Sequence, residues 1–354
     1  MRIGIIGAGS AARDIHLPGF RLCADVEIAA VCDQNLDQAR SLEIPDACAD
    51  YRDLLARPDV EAVVVATPNF LHREIVLAAL AAGKHVLCEK PLALNRGEAE
   101  EMLHAAERSR KVHMTAFTYR FTPAIQFARS LVSQGSLGEL RTVRAAYQMA
   151  LSGHLLGWRS QIQQAGSGVL ADIGSHLVDL VQYLAGDIRA LTASKRRFRD
   201  DPKSDVEDWI AFLAEFQNGA CGTFEISRAA PGRGAGISEE MTIELYGTAG
   251  SIVFRLQDPC GLMAVLGAEA SAPATPLRRF DVPAEFLKLP GSPRDVAAHD
   301  PRWGYRYDQA FQFVESVQLG QARSPNFADG LRCQAVLDAA LESARTRNWI
   351  DIPG

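Results

Sequence analysis

Hydrophobic and polar positions follow two regimes along this chain. Up to about Tyr119, short apolar runs alternate with amphipathic stretches: Arg2–Ile6, Ile28–Cys32, Val60–Ala66 and His85–Cys88 read as strands, and Leu71–Ala82 and Arg96–Ser109 as helices. Short runs that are continuously apolar and rich in β-branched residues belong to parallel strands covered on both faces. Their alternation with helices makes repeated β-α-β units, which cross over right-handedly into a doubly wound sheet. Beyond Tyr119 strand-like segments succeed one another instead, over Leu140–Ala150, Ile188–Phe198, Trp209–Gln217, Ala220–Ser227, Met241–Leu245 and Ser251–Leu256. Asn218-Gly219 between two of them signals a tight hairpin, whose central positions both favour positive φ, and Gly247–Gly250 suggests another turn. Strands joined by turns pair antiparallel, so the pattern predicts an α/β domain over residues 1–120 and an α+β domain over residues 121–354. Residues 259–301 are rich in Pro, Ala, Ser and Gly and read as a surface excursion, with a lid or a subunit-contact loop as alternatives. Helical periodicity returns over Arg306–Val317 and Gly330–Arg347.

Composition narrows the class. A chain of 354 residues, 47% hydrophobic and 23% charged, is globular and long enough to bury a large core without metal or disulfide staples. The formal charge of -6, with both signs mixed throughout, gives no footprint for nucleic acid or a membrane surface. Seven scattered cysteines form no C-x-x-C pair and no zinc spacing, which predicts buried, reduced thiols and no metal. No apolar run is long enough to span a bilayer, and Met1–Ile6 enters a strand at once, leaving no room for a signal peptide. A cytoplasmic location is the resulting expectation.

Candidate chemistry begins where the first strand ends. Gly7-Ala8-Gly9-Ser10-Ala11-Ala12 is a G-x-G-x-x-A fingerprint set between a strand and a helix. In that context Gly7 allows the tight turn, Gly9 lets the backbone approach a pyrophosphate, and Ala12 lets the helix pack on the sheet. The helix aims its first amides and the positive end of its dipole at the phosphates. Asp33, at the end of the second strand, is placed to accept from adenosine ribose hydroxyls and to repel a 2′-phosphate, with helix N-capping as its other reading. Gln34 and Asn35 supply no cation for such a phosphate, so NAD is expected over NADP. Thr67-Pro68-Asn69 ends the third strand with His72 one turn on, and ligands of doubly wound sheets sit beyond such strand ends. Asn69 is a candidate for a ribose hydroxyl, and His72 for the cofactor or for a surface position.

Further motifs carry a resemblance. The fourth strand ends in Cys88-Glu89-Lys90-Pro91-Leu92, and a later run reads Gly166-Ser167-Gly168-Val169-Leu170-Ala171-Asp172-Ile173-Gly174-Ser175-His176-Leu177-Val178-Asp179. Thr118-Tyr119-Arg120-Phe121 precedes Pro123. In this order, behind the glycine fingerprint and Thr67-Pro68-Asn69 with His72, the chain resembles the Gfo/Idh/MocA oxidoreductases, departing where that family often has Asn at the position of Thr118. The resemblance implies a Rossmann domain followed by an α+β domain with a large open, mainly antiparallel sheet, often used for homodimer or homotetramer contacts. It also implies NAD- or NADP-dependent oxidation or reduction of sugars, inositols and related polyols. By position it gives Lys90 and His176 the catalytic roles with Asp172 beside them, and it places Glu89 and Lys90 at the cofactor.

The residues themselves suit that chemistry. Oxidising a secondary alcohol requires removal of the hydroxyl proton, stabilisation of charge on oxygen, and a nicotinamide at hydride distance. Asp172, His176 and Asp179 stand at i, i+4 and i+7, so one helix shows all three on one face, while Leu177, Leu180, Val181 and Leu184 share another that packs inward. His176 is the natural base, with an ordinary pKa of about 6.5, and Asp172 is placed to orient it or to bind a substrate hydroxyl. Lys90, held extended before a proline, is placed to donate to the reacting oxygen. Trp158, Arg159, Tyr119 and Arg120 join Lys90, Asp172 and His176 as substrate-contact candidates; Lys84 carries no such argument and reads as a surface lysine. The alternatives to a dehydrogenase are an NAD-dependent glycosidase that oxidises its sugar transiently and a non-catalytic regulator binding NAD and a sugar.

Overall fold

The computed structural model describes residues 1–150, 157–233, 240–267, 270 and 275–353. Packing divides the chain into two compact units. The first comprises Met1–Thr118, Lys288–His299 and Gly304–Gln334; the second comprises Tyr119–Leu287, Asp300–Trp303 and Ala335–Gly354. The chain thus returns to the first unit late, where a single division at residue 120 leaves those segments with the second.

The first unit is built on β1 (Arg2–Ile6), β2 (Glu27–Cys32), β3 (Ala47–Cys48), β4 (Ala62–Val65), β5 (His85–Cys88) and β6 (His113–Thr115). They form one sheet in the order β3-β2-β1-β4-β5-β6 with every pair parallel, the doubly wound arrangement. Alternate residues of each strand feed two separate cores. Ile6, Val63 and Val65 pack with Ile75, Val76, Leu80 and Met102 on one face. Ile3, Ile5, Ala62 and Val64 pack with Leu17, Phe20, Phe313 and Val314 on the other. Burial on both faces is why these strands read as continuous apolar runs rather than alternating ones. It also explains the late return: the helix Asp308–Leu319 sets Phe313 edge-on to Phe20 at 6.3 Å, both fully buried. Each such side chain contributes about 1.5–3 kcal/mol. Arg294 of the segment 288–299 is fastened to Asp308 through a buried pair at 2.8 Å.

In the second unit, β7 (Leu140–Gln148), β8 (Ile188–Arg196), β9 (Trp209–Phe216), β10 (Cys221–Ser227), β11 (Glu240–Gly247), β12 (Gly250–Arg255), β13 (Gly261–Leu266), β14 (Arg278–Asp281) and β15 (Ile350–Asp351) make one sheet. Among the described residues its order is β14-β13-β12-β11-β7-β10-β9-β8-β15, with β7 and β10 parallel and the other pairs antiparallel. The helix Ser175–Ala185 buries Leu177, Leu180, Val181 and Leu184 against it, as their spacing predicts.

Three expectations change. Residues 259–301 are not a plain excursion, since β13 and β14 lie within them; β14 is a sheet edge of mixed Arg-Arg-Phe-Asp composition, which hides it from an apolar-run reading. Residues 268–269 and 271–274 of that stretch lie outside the described residues. The hairpin at Asn218-Gly219 is a three-residue loop closed by Phe216 N–H to Ala220 O, with Gly219 alone at positive φ, 85°. The Asn218 side chain accepts from Ala220 N–H instead of adopting a left-handed backbone. All seven cysteines are free, but only Cys23, Cys32, Cys88 and Cys333 are buried; Cys48 and Cys260 are half-buried and Cys221 is exposed on β10. Among the described residues no helix is long and apolar enough to cross a membrane, and no three His, Cys, Asp or Glu gather as a metal site.

Candidate functional site

The fingerprint of the first unit is a loop with its own braces. Gly7 sits at φ 97°, and a Cβ there would lie 2.5 Å from the carbonyl group of Ala66 at the end of β4, so both conformation and space demand glycine. Its N–H donates to Cys32 O at 2.8 Å. Gly9 differs: a Cβ there would meet nothing within 4 Å. Ser10 is exposed, Ala11 half-buried, and Ala12 fully buried against the sheet. Asp33 accepts from Ala8 N–H at 2.8 Å and from Asn35 N–H at 2.9 Å, so its carboxylate stands at the fingerprint. The N-cap of the next helix, Leu36–Arg40, is Asn35 rather than Asp33. Thr67 Oγ1 is buried without a hydrogen-bond partner among the described residues. Open space over Gly9, an acidic oxygen beside Ala8 and an unmatched buried hydroxyl fit a dinucleotide whose phosphates and ribose bring their own donors and acceptors.

The loop after β5 is held from beneath. His16 Nε2 donates to Glu89 Oε1 at 2.8 Å, with His16 1% and Glu89 12% exposed. Burial alone would push the Glu89 carboxyl up, but His16 and Lys90 outweigh it and hold it below its ordinary value. The second oxygen of Glu89 accepts from Lys90 N–H at 3.2 Å. Glu89, expected at the cofactor, thus ties the fingerprint helix to the lysine-bearing loop; the Lys90–Pro91 bond is cis. His72 is not on the surface. It is fully buried, with Nδ1 3.0 Å from Pro91 O and Nε2 3.0 Å from Thr67 O, bracing the loops after β4 and β5. Burial pushes its imidazole below its ordinary value despite the two carbonyls, and as a neutral ring it donates to one of them. Asn69, 4% exposed, opens the short helical turn Asn69–Leu71 after Pro68. Lys84 also departs from expectation: its ammonium is buried and donates to Arg57 O and Val60 O, both at 2.7 Å.

In the second unit the run Gly166–Asp179 is not one regular helix. A π-helical turn, Leu170–Gly174, leads into the α-helix Ser175–Ala185. Glu207 holds its start, accepting from Gly168 N–H at 2.8 Å and Leu170 N–H at 3.1 Å. Burial pushes the Glu207 carboxyl up. Over residues 170–181 only Asp172 and His176 escape full burial. Asp179, expected on the same polar face, is buried and accepts from Arg120 Nε at 2.9 Å and Nη2 at 2.5 Å. Arg120 is 4% exposed and also faces the Tyr183 ring, so the candidate substrate contact is a buried counter-ion. Tyr119, likewise buried, packs its ring 4.4 Å from that of His176, and its hydroxyl lies 3.2 Å from the Tyr147 hydroxyl. Asp172 is bracketed by arginines: Arg228 Nη2 donates to one oxygen and Arg159 Nε lies 3.4 Å from the other. Arg159 in turn lies over the Trp158 ring at 4.3 Å. Sequence reasoning missed His16, Tyr147, Glu207 and Arg228; only His16, four residues beyond the fingerprint, had a positional signal.

Comparison with known proteins agrees with both halves. A family model described as an oxidoreductase family with NAD-binding Rossmann fold matches residues 1–117, and a GFO/IDH/MocA C-terminal domain matches residues 125–253. Levoglucosan dehydrogenase of Pseudarthrobacter phenanthrenivorans is 33% identical over 93% of this chain and 88% of its own. A 1,5-anhydro-D-fructose reductase of Ensifer adhaerens is 31% identical over 77% and 81%. A solved levoglucosan dehydrogenase in complex with NADH and levoglucosan superposes with a TM-score of 0.90 at 31% identity, covering 100% of both chains.

Proposed function

We propose that this chain, which belongs to the Gfo/Idh/MocA oxidoreductase family, transfers hydride between NAD and a secondary alcohol or ketone of a sugar, anhydrosugar or related polyol. The observation that carries the reading is the exposure of Asp172 and His176 alone along an otherwise buried stretch, a base and a hydroxyl acceptor presented together. Gly7, Gly9, Ser10 and Ala11 form the turn that would hold the pyrophosphate, with Ala12 packing its helix on the sheet; Asp33 would hold the adenosine ribose, and Thr67, Pro68 and Asn69 the nicotinamide half. The acidic oxygen of Asp33 supports NAD over NADP. Glu89 and His72 act by fixing the loops that bear the contacts.

NAD, when bound, would supply the hydride acceptor for oxidation of the carbinol carbon. His176 accepts the proton of the substrate hydroxyl as the ketone forms, and Tyr119 fixes the plane of its ring. Lys90 donates a hydrogen bond to the reacting oxygen and lowers the cost of charge there. Asp172 accepts from a substrate hydroxyl, and Trp158 with Arg159 offers an aromatic face and a guanidinium to the ring. Arg120 is left out of this set because its guanidinium is committed to Asp179. Homodimer or homotetramer assembly through the second sheet, where Leu213 of β9 is 50% exposed, and a cytoplasmic location complete the reading.

The test is NADH formation from NAD, beside NADPH formation from NADP, over anhydrosugars, pyranosides, aldoses and cyclic polyols. We expect turnover with NAD on at least one of them, and a fall of about 10²-fold or more in Lys90→Ala and His176→Ala. Cofactor binding without net reduction of any substrate would overturn the dehydrogenase reading in favour of the glycosidase or the regulator.

A further inference from the structure

We infer that Arg228 is a positioning residue for this reaction, holding Asp172 as a fixed, ionised hydroxyl acceptor and leaving proton transfer to His176. The inference rests on the dehydrogenase reading above and assigns a role to a residue that touches neither cofactor nor substrate in it.

Arg228 directly follows β10, where its N–H donates to Asp208 O at 2.8 Å. It is 3% exposed, and its Nη2 donates to Asp172 Oδ2. Its Nη1 makes no hydrogen bond among the described residues. A guanidinium so deeply placed costs the fold heavily unless a carboxylate meets it, and the carboxylate it meets is one of the two side chains that residues 170–181 leave accessible. Arg159 approaches the other Asp172 oxygen, but with a side chain 39% exposed its field is screened by water. Arg228 is therefore the cation that dominates Asp172. Burial first, then Arg159, push Arg228 down to about 10, still a cation at neutral pH, and Tyr147 acts in the opposite sense. The groups that meet Asp172 include Arg228 after β10 and Arg159 in the turn Gly157–Ser160, while Tyr147 on β7 acts on Arg228 and Glu207 holds the backbone at the start of the π-turn. Two cations against one accessible carboxylate keep Asp172 ionised, so it accepts from a hydroxyl and does not donate a proton.

The experiment compares Arg228→Met and Arg228→Lys with the wild type by the pH dependence of kcat/KM, with thermal melting alongside. In Arg228→Met the expected loss in kcat/KM is of order 10–100-fold, the usual effect of removing an outer partner of an active-site group. Its acid limb should move up by about one pH unit or more, as removal of a neighbouring cation dictates. Arg228→Lys keeps the charge, so its limb should stay in place while the rate falls. An unmoved limb in Arg228→Met, whatever happens to melting or rate, overturns the proposal. Should that variant not fold, Arg228→Gln keeps a donor without the charge and must show the same shift; an unmoved limb there also overturns it. Absence of net NADH formation by the wild type on every substrate would sink the dehydrogenase reading, and the proposal with it. Turnover lost in His176→Ala with unmoved limbs in the Arg228 variants sinks the proposal alone.

Discussion

Gly7 and Gly9, two residues apart, make opposite predictions, and together they test the cofactor site. Gly7→Ala forces a side chain into φ 97° and brings a methyl within 2.5 Å of the Ala66 carbonyl group and 2.8 Å of Thr67 N. Left-handed strain costs about 1–2 kcal/mol, and forcing a methyl into packed backbone about 1–3 kcal/mol more. The expected total, about 2–5 kcal/mol, lowers the melting temperature of the unliganded protein by roughly 4–20 °C for a unit of this size. Gly9→Ala meets nothing within 4 Å and has no positive φ, so folding should be unchanged within about 0.5 kcal/mol, or slightly improved by the lost freedom of the unfolded chain. Its methyl instead stands where the pyrophosphate must approach. Overpacking that contact by about 1–3 kcal/mol weakens NADH binding by roughly five- to a hundred-fold. The assay is melting without cofactor, paired with NADH titration by calorimetry or fluorescence. If Gly9→Ala binds NADH as tightly as the wild type, the phosphates do not pass over Gly9 and the assignment of the fingerprint is wrong.

Two further predictions concern buried charge. His113, 8% exposed and accepting from Phe327 N–H, is pushed down to about 4 by burial, against an opposing pull from Asp329. The unfolded chain protonates it near 6.5, so its stabilisation is complete above that pH and drains as pH falls towards 4, by up to about 3 kcal/mol. Urea unfolding at pH 7 and pH 4.5 should show a flatter pH slope in His113→Asn than in the wild type; identical slopes would exclude His113 as the source. Arg120→Met strands Asp179 as an uncompensated buried charge and should cost about 3–5 kcal/mol, whereas Arg120→Met/Asp179→Leu should recover most of it. The double variant also tests the substrate role set aside for Arg120, since a KM raised tenfold or more in a folded double variant would restore Arg120 to the substrate set.

Local pattern carried much of the architecture. Strand and helix positions around the fingerprint are legible because burial on both faces of the first sheet leaves β1, β4 and β5 continuously apolar. The same logic fails for β3, β6 and β15, two or three residues long, and for β14, whose place at a sheet edge lets it carry Arg278, Arg279 and Asp281. The candidate site is legible where one motif supplies both residue and position, as with Gly7, Asp33, Lys90 and His176. It is illegible where the partner is remote in sequence. Nothing at Arg120 announces Asp179, nor at Arg228 Asp172, because a buried charge is matched by whichever strand end the topology brings beside it. Expecting Asp172, His176 and Asp179 on one open face followed helical spacing correctly and missed that an inward carboxylate is tolerated once an arginine meets it.

Helical spacing was misled for a further reason, which both candidate sites share. The helix after the fingerprint contains a π-helical turn, Ala12–His16, and the run bearing Asp172 contains another, Leu170–Gly174. An inserted residue of this kind shifts the side chains around it off the 3.6-residue register at a cost in backbone hydrogen bonding, and such turns concentrate at functional positions. In each case the turn carries a side chain with a partner outside the helix: His16 reaches Glu89 beneath the Lys90 loop, and Asp172 reaches Arg228 at the end of β10. A regular helix would keep the apolar stripe intact at the price of those two contacts. The sequence period therefore breaks where the fold trades local regularity for a fixed polar group, and the places where it breaks lie in the two candidate sites.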